Sequence, residues 1–245
     1  MMRSDIRKDR EHEKPEQRDF QAKNIFIITA GFFSAVIGLL VLLGWILRLS
    51  SLTSFGTNLI PMAPSTALLF ILNGCALAVY IRMPQNRGVR VACLFIGAFI
   101  AISGLSLFFS SSRGIYLGIE RLGFPIVDSP YGIPIGHMSP LTAIFFLAGA
   151  VDFLLMISLP VERSGRAVSA FVLSFLLFIA SSLFLIAYMF ASPMMYGGVL
   201  VPPALPTMLA FLFLSLGLLM NAGFQLWSYE RINKTTTLRL SYVLF

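Results

Sequence analysis

Residues 167–190 read AVSAFVLSFLLFIASSLFLIAYMF, 24 residues without a charge. Wound as a helix at ~1.5 Å per residue, such a run crosses the roughly 30 Å hydrocarbon layer of a bilayer. Lipid offers the backbone no hydrogen-bond partner, so a spanning segment must satisfy itself as a helix or join a closed barrel. Barrel strands are about 10 residues long and alternate polar with apolar positions. This run does neither, and reads as a helix. Five more runs follow the same rule, at 25–47, 64–81, 89–109, 140–159 and 205–227. The expected fold is therefore all-α, a polytopic membrane helix bundle of about six spans. Composition agrees: 57% hydrophobic residues, 12% charged and a mean hydropathy of +0.85 leave more apolar surface than a 245-residue soluble domain can hide.

The charges gather at the ends of these runs. Residues 1–23, MMRSDIRKDREHEKPEQRDFQAK, are rich in both signs and read as a disordered or loosely helical cytoplasmic tail. They do not form a signal peptide, because the first apolar run starts late and no small-residue cleavage site follows it. The net charge of +7 does not point to nucleic acid, since the basic residues face lipid headgroups at helix ends. No nucleic-acid partner is expected; the bilayer is. Of the 18 Lys and Arg, only Arg48, Arg113 and Arg121 fall on one side of the spans, and 15 fall on the other. The positive-inside rule then places the N-terminus in the cytoplasm of a bacterial inner membrane. The organisation expected is a tail at 1–23, a transmembrane bundle at 24–229, and a cytoplasmic link at 230–245 that begins a possible truncated seventh span.

Links near 82–88 and 160–166 are short, so each inward-running helix should pack beside the outward-running helix that follows it. The outer connection at 110–138 is the longest. It alternates Gly and Pro with Ile115, Leu117, Ile119, Leu122, Phe124 and Ile126, too apolar for a disordered loop. With Tyr116 and Tyr131 suited to the headgroup layer, it should lie over the outer mouth of the bundle. Tyr116, Glu120, Arg121, Tyr131 and His137 are its candidate sensing residues.

The inward-running helices open alike: Met62-Ala-Pro-Ser-Thr-Ala-Leu-Leu-Phe70, Met138-Ser-Pro-Leu-Thr-Ala-Ile-Phe-Phe146 and Ala204-Leu-Pro-Thr-Met-Leu-Ala-Phe211. Proline suits a first turn, where its missing N–H has no intrahelical partner. Ser139 can cap its helix, whereas Ala63 and Leu205 cannot. The threefold recurrence suggests three duplicated helical hairpins. The same helices carry Asn73, Asp152 and Asn221, the strongly polar side chains deep in the spans. An intramembrane carboxylate is a functional candidate by default. Asp152 has a plainer role available, bonding to neighbouring helices or reaching toward Arg163 or Arg166. Asn73 and Asn221 read as interhelical hydrogen-bonding residues.

Other chemistries lack their residues. Cys75 and Cys93 sit in apolar runs without a CxxC pairing and read as small core residues. The histidines are His12 in the tail and His137 at an outer helix end, so no bis-histidine haem forms within the membrane. No Gly-rich phosphate loop, HExxH or GxSxG occurs. No cofactor, metal or catalytic residue is expected, and the chain is not expected to be an enzyme.

Several segments are familiar in order and spacing. Leu43-Gly-Trp-Ile46 followed by Met62-Ala-Pro-Ser-Thr-Ala67 resembles the start of an N-terminal membrane module of bacterial sensor histidine kinases and diguanylate cyclases. Gly118-Ile-Glu-Arg-Leu122 with Gly136-His-Met-Ser-Pro-Leu-Thr-Ala143 resembles its second repeat. Residues 186–197 with Leu205-Pro-Thr207 and Leu214-Ser-Leu-Gly-Leu-Leu219 resemble its third. Members of that family often have Asp where Glu120 stands, and usually run on into further spans and cytoplasmic output domains. The resemblance implies a sensory input module for signal transduction, and supplies no ligand and no binding residues. A homodimer or another membrane-complex partner is expected with it. Two other readings stay open: an accessory subunit of a larger membrane complex, and a small transporter using Asp152.

Overall fold

The computed structural model describes residues 2–56, 59–115, 117–124, 136–158, 164–190 and 202–243, with backbone only for 2–19, 164 and 228–243. Its helices are α1 (Met2–Leu47), α2 (Ser50–Ser54), α3 (Pro64–Arg82), α4 (Arg87–Ser112), α5 (Pro140–Ser158), α6 (Ser164–Met189) and α7 (Leu205–Val243), with a 3-10 turn at Gly118–Arg121. There is no strand among the described residues. Six helices are long and apolar enough to cross a membrane: Phe20–Leu47, Pro64–Arg82, Arg87–Ser112, Pro140–Ser158, Gly165–Met189 and Leu205–Trp227. The chain is a multi-pass α-helical membrane bundle.

The helices fall into two rings. In α3, α5 and α7, 50–56% of the spanning window is buried, against 22% in α4 and α6 and 44% in α1. The first three therefore form the centre and the other three surround it. Each outer helix bridges two inner ones: α1 packs on α3 and α7, α4 on α5 and α3, and α6 on α7 and α5. The result has a pseudo-threefold axis, with hairpins α1/α3, α4/α5 and α6/α7 as the repeats. The shortly linked pairs α3/α4 and α5/α6 do touch, as chain economy requires. The more extensive packing lies within each hairpin, across the longer connection.

Small residues set that packing. Without a hydrophobic force between helices in lipid, close backbone approach is the main source of contact. The outer helices carry small buried residues seven apart, hence on one face: Gly31 and Gly38 in α1, Gly97 and Gly104 in α4, Ser174 and Ser181 in α6. Gly31 lies against Gly74 of α3, backbone to backbone. A Cβ at Gly38 would press on the Ala67 carbonyl, and one at Gly104 on the Ala143 carbonyl at 3.0 Å. Ala67 and Ala143 are equivalent positions, each following the motif threonine. In α6 the serine hydroxyls fold back onto their own helix, Ser174 donating to Ala170 O at 2.8 Å and Ser181 to Leu177 O at 2.7 Å.

Both ends of the chain extend the bundle on the same side. Helix α1 is continuous from Met2, so the charged tail is helical. Helix α7 leaves its apolar part at Trp227 and continues unbroken to Val243. Residues 230–243, expected as a link and the start of a seventh span, prolong α7. Where the two helices leave the bundle, Lys23 Nζ sits 3.8 Å from the Phe224 ring centre, and Phe20 meets Phe224 edge-on at 5.9 Å.

A pseudo-threefold mouth and its surroundings

The recurring motif places one threonine per repeat at the proline end of the axis: Thr66, Thr142 and Thr207, each 2–3% exposed. Four residues before each threonine, a backbone carbonyl is bound by a side chain of the same hairpin's outer helix. Trp45 Nε1 donates to Met62 O at 2.9 Å, Ser111 Oγ to Met138 O at 3.1 Å, and Tyr188 OH to Pro203 O at 2.6 Å. The donors are an indole, a hydroxyl and a phenol, so no residue pattern betrays them; only the acceptor position repeats. Just past each threonine the next N–H closes the first helical turn, Ala67 on Ala63, Ala143 on Ser139 and Met208 on Ala204, at 3.0–3.1 Å.

Ser139 caps α5 as its sequence position suggested, its Oγ accepting from Thr142 N at 3.2 Å. Ala63 offers α3 no side-chain cap. The three threonines, with Ser139 and His137, border a small cavity of about 20 Å³. That is room for about one water molecule among hydroxyls able to bind it. One turn farther along each helix stands a phenylalanine. Phe70, Phe146 and Phe211 form a triangle with centroid separations of 4.7 Å (Phe70–Phe146), 4.6 Å (Phe70–Phe211) and 4.8 Å (Phe146–Phe211), all tilted or edge-on. Such geometry sets ring edge against ring face on all three sides. It closes the axis beneath the mouth.

Part of the long connection folds over this mouth. Glu120, 2% exposed, accepts from Met138 N at 2.7 Å and from Leu117 N at 3.3 Å. His137 stands between opposite charges. Its Nδ1 faces Glu120 Oε1 at 3.4 Å, and Arg121 Nε donates to its Nε2 at 3.0 Å. A guanidinium can only donate, so Nε2 is the lone-pair nitrogen and the ring proton sits on Nδ1, toward Glu120. Phe124 rests on Trp45 at 5.9 Å. Of the candidate sensing residues, Glu120, Arg121 and His137 are thus brought together. Tyr116 and Tyr131 lie outside the described residues.

The intramembrane polar residues are not brought together. Counted from the motif threonine they lie 7, 10 and 14 positions along their helices, which separates them by ~5 Å steps down the axis. Among the described residues, neither Asn73 amide atom nor Asn221 Nδ2 has a hydrogen-bond partner. At each of these levels the matching positions of the other two inner helices carry Gly, Leu, Tyr or Met, so no second amide faces them. Asp152 Oδ2 is likewise buried without a partner, and no ion pair joins Asp152 to Arg166. Arg163 lies outside the described residues.

Sequence reading overlooked two features here. The seven-residue spacing of small residues in the outer helices was a legible signal. The Trp45, Ser111 and Tyr188 ties were not, because nothing in residue type relates them. No family of proteins, no curated protein and no solved structure matches this chain.

Proposed function

We propose that the chain is a membrane-embedded sensory input module, taking a stimulus at the proline end and passing it along α7 to a signalling partner or output domain in the cytoplasm of a bacterial inner membrane. The observation that carries this reading is α7 itself. One unbroken helix begins at the cavity mouth, contributes Thr207 and Phe211 to the axis, and runs out past the apolar bundle to Val243. A rigid helix with one end in the mouth and the other in water is the simplest mechanical link between the two. The positive-inside count supports a cytoplasmic N-terminus, and hence a cytoplasmic exit for α1 and α7 together.

The covering segment would be the receiving part. Glu120, Arg121 and His137 hold it to Met138 at the start of α5, so a change there would bear on the mouth. A coupling of about 1–3 kcal/mol suffices to alter output several-fold. Transport using Asp152 is the second reading, favoured by its buried, unpartnered carboxylate oxygen. The Phe triangle closes the axial route, which weighs against it.

Spin labels at Ala22 and Leu226, at the exit of α1 and α7, test the proposal. Replacing Glu120 with Gln, or residues 115–124 with a Gly/Ser linker, should shift or broaden the label-to-label distance while the bundle stays folded. An unchanged distance distribution in both variants contradicts the reading. Proton uptake by liposomes that disappears in Asp152→Asn would favour transport instead.

A further inference from the structure

Each outer helix carries a cation seven or eight residues before its first small seam residue: Lys23, Arg90 and Arg166. Lys23 is accommodated by the Phe20 and Phe224 rings. The other two are not so provided. Arg90 and Arg166 stand in the opening turns of α4 and α6, where the helix dipole is positive and disfavours a cation. Arg90 Nη2 donates to Ile157 O of α5 at 2.8 Å, and Arg166 Nη2 to Gln225 Oε1 of α7 at 3.2 Å.

Arg166 is only 6% exposed, yet its Nη1 is buried with no partner. Tyr80 of α3 meets Phe153 of α5 edge-on at 6.3 Å, one turn from the Ile157 carbonyl that holds Arg90. One turn from Gln225 on the same face of α7, Asn221 Nδ2 is a second buried donor without a partner. Among the described residues no carboxylate pairs with either arginine. Two like charges and unspent donors, drawn from α3, α4, α6 and α7, thus stand at this end of the bundle with no paired carboxylate among the described residues.

We propose that Arg90, Arg166 and Tyr80, with the Asn221 amide behind them, bind a phosphate-type oxyanion. Guanidinium forks match the tetrahedral oxygens of phosphate, and the positive ends of α4 and α6 add to the attraction. An arginine merely reaching for the headgroup layer would keep its charged tip in water; Arg166 instead buries its tip. The oxyanion has two sources, the phosphodiester of an anionic lipid entering from the leaflet or a free phosphate from solution. Basic pockets between spanning helices commonly take the first. The site stands whether or not the bundle is an input module.

The full chain in neutral detergent tests this by native mass spectrometry and thermal unfolding. The probes are phosphatidylglycerol, phosphatidylcholine and inorganic phosphate. Wild type should bind one anionic species saturably and gain thermal stability from it, with no such gain from phosphatidylcholine. Arg90→Gln and Arg166→Gln should each weaken that binding at least tenfold, and Arg166→Lys less. Saturation by phosphatidylglycerol alone identifies a lipid headgroup; saturation by inorganic phosphate at matching occupancy identifies a solute. Should the Gln variants fail to fold, Tyr80→Phe, which removes one oxygen, and Arg166→Lys decide the matter with a several-fold loss. Absence of saturable binding by wild type, or affinity unchanged in the folded variants, overturns the site.

Discussion

At the proline end the three repeats do the same thing: a threonine at the mouth, a carbonyl held four residues earlier, a phenylalanine one turn deeper. At the opposite end they part company. Asn73, Asp152 and Asn221 sit at three different heights, one cation is held by aromatic rings, and two arginines donate to neutral acceptors with no paired carboxylate among the described residues. Repetition is what a frame needs, since each copy must make the same contacts to close the ring. Divergence is what remains where closure no longer constrains the side chains. The regular end is accordingly where substitutions should cost stability, and the irregular end where they should alter binding or output.

The aromatic triangle is where that contrast should be largest. Phe211 touches both other corners, so Phe211→Ala opens a hole on the axis and should destabilise the bundle by roughly 3 kcal/mol. Unfolding in detergent, followed by tryptophan fluorescence, measures it. A loss below about 1 kcal/mol would mean that the axis is not a packed core.

Next come the helix crossings. Gly38→Val and Gly104→Val each drive a side chain into a carbonyl of the hairpin partner and should cost ~1–3 kcal/mol by overpacking. If the repeats are equivalent the two costs should match; a tolerated Gly104→Val would break the analogy between the first and second hairpins.

The three ties should be smaller and, again, alike. Trp45→Phe, Ser111→Ala and Tyr188→Phe each remove one donor to an equivalent carbonyl, at about 1 kcal/mol apiece. Unequal losses beyond the difference in packing volume would sharpen which hairpin carries the frame.

Smallest in stability is Asp152→Asn, expected to change unfolding by less than about 1 kcal/mol, because the side chain keeps its shape and Oδ2 has no partner to lose. Its effect should appear in output or transport assays. A large loss of stability there would show a bond at Asp152 that the packing described above lacks.

Much of the frame could be read before any coordinates. Apolar runs of spanning length marked the six helices, and the run expected from 205 begins at Leu205 in the structure. A proline followed within two residues by a threonine marked the three inward-running helices, and the four-residue step from Thr66 to Phe70 recurs in the other two. That these residues meet on one axis was not legible, because convergence depends on how three helices rotate against each other. Arg90 and Arg166 were visible only as charges that orient the chain. Their partners, the Ile157 carbonyl of α5 and Gln225 of α7, are 67 and 59 residues away, and no local pattern encodes such ties.

The pseudo-threefold mouth is best tested by cross-linking across it. In a background with Cys75→Ala and Cys93→Ala, three double variants place cysteines at Thr66 and Thr142, Thr142 and Thr207, or Thr66 and Thr207. A bifunctional thiol reagent of about 5 Å span should join all three pairs within the folded bundle, at comparable yields, since the three threonines border one cavity of about 20 Å³. Efficient cross-linking of one pair with failure of the other two, in protein shown to be folded, would contradict a threefold meeting of α3, α5 and α7.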